Sequence, residues 1–136
     1  MAHQCQALVV TCIDFRFQKA ISEWLFLKGL NGKHDRVSLA GAQKAFLGES
    51  AKIALNQVDI SVRLHGITEV HLLAHMDCGA YGGSTKFASS EAEKEKYLSD
   101  LREVKQLLQE RFNLKVFTYV IKFNAIKMAQ VEEVTV

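Results

Sequence analysis

The feature that most constrains the fold is a six-residue stretch, Glu69 to Ala74, that is apolar at most positions instead of at every second one. A strand with one face in water alternates, whereas a strand buried on both faces of a parallel sheet does not. A second apolar run, Ala7 to Thr11, stands near the start of the chain. Parallel strands need crossover connections, and the sequence between these two runs supplies helices for them. From Phe17 to Lys28, apolar residues at 17, 20, 21, 24, 25 and 27 lie close to one helical stripe, with Gly29 as the stop. Phe26 and Leu27 widen that stripe beyond one core face, so Trp24 and Phe26 are candidate contacts for a second subunit. Asp35 to Leu39 reads as a short strand and Ala40 to Gly48 as a loop. Glu49 to His65 is a second helix, apolar at Ala51, Ala54, Leu55, Val58 and Val62 and closed by Gly66.

After Ala74 the stretch Gly79 to Ser90, rich in Gly, Ser and Ala, is loop or short helix. Ser90 with Glu93 fits a capping box, opening a charged helix whose apolar line is Tyr97, Leu101, Val104 and Leu108 and which ends near Asn113. Lys115 to Lys122 alternates into a strand, and Lys127 to Val136 is a weaker final strand after a turn at Asn124 and Ala125. The predicted fold is a single α/β domain over residues 1–136, with a mostly parallel sheet of four to five strands flanked by helices. With a sheet order of the kind 2-1-3-4, the first and third strands are neighbours. The crevice at their carboxyl ends is then the topological switch point where such folds place sites.

Both strands run into chemistry at that end. Ala7 to Thr11 leads into Cys12-Ile13-Asp14-Phe15-Arg16, and Glu69 to Ala74 leads into His75-Met76-Asp77-Cys78-Gly79. If the first run stays extended, Cys12, Asp14 and Arg16 point one way and Ile13 and Phe15 the other. Two sulfurs and one imidazole nitrogen are a zinc-type ligand set, and the His-x-x-Cys spacing supplies two of them from one turn of backbone. Cys12 or Cys78 alone would read as a small buried residue; their pairing with His75 favours a metal. His71 is expected to be a packed core histidine, His3, His34 and His65 to be surface or loop residues, and Cys5 to be a bystander thiol.

Composition excludes other classes. Charged residues are 24% of the chain, the net charge is +2 and no basic block is present, which argues against a nucleic-acid partner. No apolar run approaches membrane-spanning length and no secretory signal pattern opens the chain, so the expectation is a soluble, cytoplasmic protein with no membrane partner. Three cysteines in such a chain suit metal or thiol chemistry better than a disulfide scaffold. A phosphatase-type thiol loop needs five residues between Cys and Arg, whereas Cys12 and Arg16 have three between them.

The ordered pair of motifs, Cys12-x-Asp14-x-Arg16 and later His75-x-x-Cys78-Gly79, resembles the zinc-site motifs of the β-class carbonic anhydrases. The likeness extends to Ala40-Gly41, to Leu64-His65-Gly66-Ile67 before the strand into His75, and to the strand pair that ends the chain. It is most like the short, archaeal-type members. The resemblance implies one Zn2+ per chain held by Cys12, His75 and Cys78, with Asp14 and Arg16 as the catalytic dyad beside it. It also implies reversible hydration of CO2 to bicarbonate and a proton through a zinc-bound hydroxide, and a homodimer or higher homo-oligomer. The chain departs from the family at Leu39, where an Asn usually precedes Ala-Gly. Alternatives are a hydrolase of carbonyl sulfide or carbon disulfide on the same site, or a catalytically inactive zinc-binding relative.

Overall fold

The computed structural model describes residues 3–136. Five strands form one sheet in the order β2-β1-β3-β4-β5: β1 Ala7–Thr11, β2 His34–Ser38, β3 Glu69–His75, β4 Lys115–Phe123 and β5 Ala129–Val134. The first four run parallel, and only β5 is antiparallel, folded back on β4. The three α-helices, α1 Gln18–Leu27, α2 Ala51–His65 and α3 Ser90–Phe112, fall in the connections between the parallel strands. The predicted α/β fold and the neighbouring of the first and third strands are both observed, with five strands the outcome of the expected four to five.

The continuous apolar runs are explained by a core on each side of the sheet. Leu8 and Val10 of β1 and Val70, Leu72 and Ala74 of β3 pack with Ala54 and Val58 of α2 and Tyr97, Leu101, Val104 and Leu108 of α3. Ala7, Val9 and Leu73 face the opposite way, against Phe17, Ile21, Trp24 and Leu25. Successive strand residues point to opposite faces, so a strand covered on both sides must be apolar at both sets of positions. Each large apolar side chain buried in this way contributes about 1.5–3 kcal/mol. His71 is buried as expected, stacked on Phe117 and Tyr119 and edge-on to Trp24.

Several local readings differ. β1 ends at Thr11, and Asp14 caps a 3-10 turn, Phe15–Phe17, by accepting the Arg16 backbone N–H at 3.0 Å. Ile13 and Phe15 still point outward, now as exposed residues of a turning chain and not of a strand. Within the predicted loop from Ala40 to Gly48, residues Ala42–Phe46 wind into a 3-10 turn that buries Ala42, Gln43, Ala45 and Phe46. The cap of α3 is Ser89, whose hydroxyl accepts the Ala92 N–H at 3.0 Å; Glu93 is buried and points away from it, so the expected Ser90–Glu93 capping box does not form. Trp24 belongs to the core, whereas Phe26 and Leu27 are the exposed part of the α1 stripe. Among the described residues no helix is long and apolar enough to cross a membrane.

Candidate metal centre

The carboxyl ends of β1 and β3 lie side by side, and there the structure brings Cys12, His75 and Cys78 together. All three are buried, and their ligand-type atoms lie within 4.8 Å of one another. His75 is the last residue of β3; its Nδ1 faces the Met76 carbonyl at 2.8 Å, which turns Nε2 inward. Nε2 is fully buried with no hydrogen-bond partner among the described residues. A buried polar atom without a partner costs roughly 1–3 kcal/mol, and here it stands beside two thiol sulfurs. That combination is what a cation with nitrogen and sulfur ligands would satisfy, so the residues present fit a metal of the zinc type.

The thiols are not equivalent. The neighbouring Cys78 thiol lowers the pKa of Cys12, with further help from His75 and the Gly41 N–H, which donates to its sulfur at 3.3 Å; the proximity of Cys12 and burial raise Cys78. Burial acts to lower His75, but its contacts with Cys12 and the Met76 carbonyl outweigh this and its pKa is raised. Cys12 is therefore the more acidic thiol of the two. Gly41 can make its contact only as glycine: its φ is +85°, and a Cβ there would stand 2.9 Å from Lys44 Cβ and 3.1 Å from Ala80 Cβ.

Asp14 and Arg16 form an ion pair at the mouth of the cluster. The Arg16 guanidinium donates to both Asp14 oxygens, through Nη2 to Oδ2 at 2.7 Å and Nε to Oδ1 at 3.1 Å. It also donates to the Asp77 carboxylate at 2.9 Å and to the Asp77 carbonyl at 2.8 Å, so one cation ties the loop after β1 to the loop after β3. These contacts hold the Asp14 carboxyl below its ordinary range and raise Arg16. Asp14 Oδ2 is 3.8 Å from His75 Nε2. The cluster opens into a cleft of about 690 Å³ whose rim carries Ile13 and Phe15, the latter 85% exposed.

Three contributors escaped the sequence reading. Glu93 accepts the Asp77 N–H at 2.6 Å, the Tyr97 hydroxyl at 2.7 Å and the Ser84 hydroxyl at 2.8 Å. Tyr97 in turn accepts the Cys78 N–H at 3.3 Å. Asp77 adopts φ +58° and accepts the Ser84 N–H at 2.7 Å, closing the loop on itself. These groups fix the backbone between His75 and Cys78. Asp77 stands inside the second motif and could have been found there; Glu93 and Tyr97 sit on the same face of a helix, four residues apart, the one sign that they act together.

The family described as "Putative carbonic anhydrase" matches residues 2–135. An uncharacterized protein of Rickettsia bellii is 27% identical over 132 residues, covering 91% of this chain and 80% of the relative. Among solved structures, a carbonic anhydrase from Glaciozyma antarctica superposes with a TM-score of 0.66 at 16% identity, covering 99% of this chain and 85% of that one. A pair of β-carbonic anhydrases from Sordaria macrospora, described as tetrameric, is represented by a chain matching at a TM-score of 0.61 and 10% identity, with 96% and 81% of the two chains covered.

Proposed function

The chain belongs to the family described as "Putative carbonic anhydrase", and from that premise we propose that it is a zinc-dependent carbonic anhydrase catalysing the reversible hydration of CO2 to bicarbonate and a proton. The observation that carries this reading is the buried, partnerless His75 Nε2 set between Cys12 and Cys78 at the switch point of the sheet. Cys12, His75 and Cys78 would hold one Zn2+, which when bound supplies a Lewis acid that makes water nucleophilic near neutral pH.

The remaining work falls to the chain. Asp14, held ionised by Arg16, is a fixed acceptor at the mouth of the cluster that orients a water molecule by taking its hydrogen bond. Because Arg16 engages both Asp14 oxygens, the carboxylate cannot swing into the cluster without breaking that pair. Ile13 and Phe15 offer an apolar rim to a linear, uncharged substrate. Asp77 secures the far side of Arg16. The exposed Phe26 and Leu27 on α1 are proposed to be covered in a homo-oligomer.

The test is stopped-flow CO2 hydration by protein of known zinc content. Rapid turnover proportional to bound zinc is expected. No turnover at full zinc occupancy would overturn the reading, and turnover of carbonyl sulfide in its place would move the assignment to a hydrolase on the same site.

A further inference from the structure

A second group of metal-type side chains lies at the opposite end of the sheet. Cys5 lies two residues before the start of β1, Asp35 is the second residue of β2 and His65 ends α2. Their ligand-type atoms, a sulfur, a carboxylate oxygen and a ring nitrogen, lie within 4.8 Å of one another. The three elements are locked together by backbone: the Cys5 N–H donates to the His65 carbonyl at 3.1 Å, and Asp35 stands opposite Leu8 in the β1–β2 register. Six residues of largely extended chain, Gln6 to Thr11, separate Cys5 from Cys12 by roughly 20 Å, so the two clusters are independent.

We propose that Cys5, Asp35 and His65 form a second binding site for a borderline-soft divalent cation of the zinc class, reachable from solvent. A thiolate, a carboxylate and a neutral imidazole together carry two negative charges and present the sulfur, oxygen and nitrogen donors that such ions prefer. Tetrahedral donors on one ion stand about 3.3–3.8 Å apart. His65 Nδ1 and Asp35 Oδ2, now 2.6 Å apart, would have to separate slightly. The Ser61 hydroxyl donates to Asp35 Oδ2 at 2.6 Å, which orients the carboxylate as a neighbouring donor does in established metal sites. His65 and Asp35 retain 36% and 28% side-chain exposure, and a small hollow of about 220 Å³ borders both. The fourth position is open to water. The bound ion would clamp the segment entering β1 to β2 and to the end of α2, and binding would release the thiol proton.

The test uses Co2+ as the probe on the metal-free full chain, with bound metal counted by equilibrium dialysis and sulfur ligation read from near-ultraviolet thiolate-to-cobalt absorption. Two equivalents per chain are expected. Cys5→Ser and His65→Gln should each weaken one equivalent at least tenfold and leave the other unchanged, with circular dichroism showing both variants folded. A wild-type chain that takes up no ion sensitive to these substitutions up to millimolar Co2+ overturns the proposal, as does a second equivalent undiminished in both variants. Loss of the Cys12 site alone, by Cys12→Ser, should leave the Cys5-dependent equivalent in place, so failure at either site is read separately.

Discussion

Replacing Glu93 tests how the loop carrying Asp77 and Cys78 is held. Its carboxylate accepts three hydrogen bonds, from the Asp77 N–H, the Tyr97 hydroxyl and the Ser84 hydroxyl. Hydrogen bonds to a charged acceptor contribute about 1.5–3 kcal/mol each. Ser84 is exposed and its hydroxyl can turn to water, whereas Tyr97 is fully buried and the Asp77 N–H is partly so. Two donors are therefore stranded by Glu93→Ala, a cost of about 3–5 kcal/mol. For a chain of this size that lowers Tm by roughly 10–20 °C. Glu93→Gln keeps one oxygen for Asp77 and Tyr97 and offers an N–H to Ser84, so it should cost only about 1–2 kcal/mol. Because Tyr97 also holds the Cys78 N–H, zinc affinity should fall about 10–100-fold in the alanine variant. Urea unfolding of the metal-free variants and competition with a zinc chelator measure both effects. An alanine variant within 1 kcal/mol of wild type, or a glutamine variant as damaged as the alanine one, would refute the reasoning.

Cys78→Ser should bind zinc more weakly at the Cys12–His75 site and lose part of the stability that metal binding adds; a zinc affinity unchanged in competition with a chelator would contradict this. Asp14→Ala should keep its zinc and lose CO2 turnover by at least about tenfold, a fall in kcat read by stopped flow. Burial holds His71 below 6.5 despite the neighbouring Glu69. The unfolded chain therefore binds a proton that the folded one refuses: this contribution to stability is intact above pH 6.5 and lost as pH falls below it, at up to about 1.4 kcal/mol per pH unit. Urea midpoints at pH 7.5 and 5.5 should differ less in His71→Phe than in the wild type. Phe26→Glu with Leu27→Glu should shift the sedimentation profile toward monomer, and an unchanged profile would remove α1 from the interface.

The sheet order is not written in the sequence, but given a 2-1-3-4 order the juxtaposition of the two motifs was legible, because strand ends concentrate the signal. A run apolar on both faces announces a central strand, and the polar residues that close it must stand at the carboxyl end of the sheet, as Cys12 and His75 do. Glu93 was misread because Ser90-x-x-Glu93 satisfies a local rule, while the partners that claim its side chain, Asp77 and Ser84, come from another segment. The 3-10 turn at Ala42–Phe46 has no periodicity long enough to register. Trp24 and Phe26 differ by two helical positions, about 200° around α1, so one is core and the other exposed. Cys5 read as a bystander because its neighbours, Asp35 and His65, arrive from a strand and a helix end whose meeting only the tertiary fold displays.

The most direct measurement is zinc K-edge X-ray absorption on the chain loaded with one equivalent of Zn2+. The account predicts two sulfur neighbours at about 2.3 Å and nitrogen or oxygen neighbours at about 2.0–2.1 Å, with the sulfur count falling to one in Cys78→Ser. A first shell of nitrogen and oxygen alone, or a spectrum indifferent to Cys78, would contradict it.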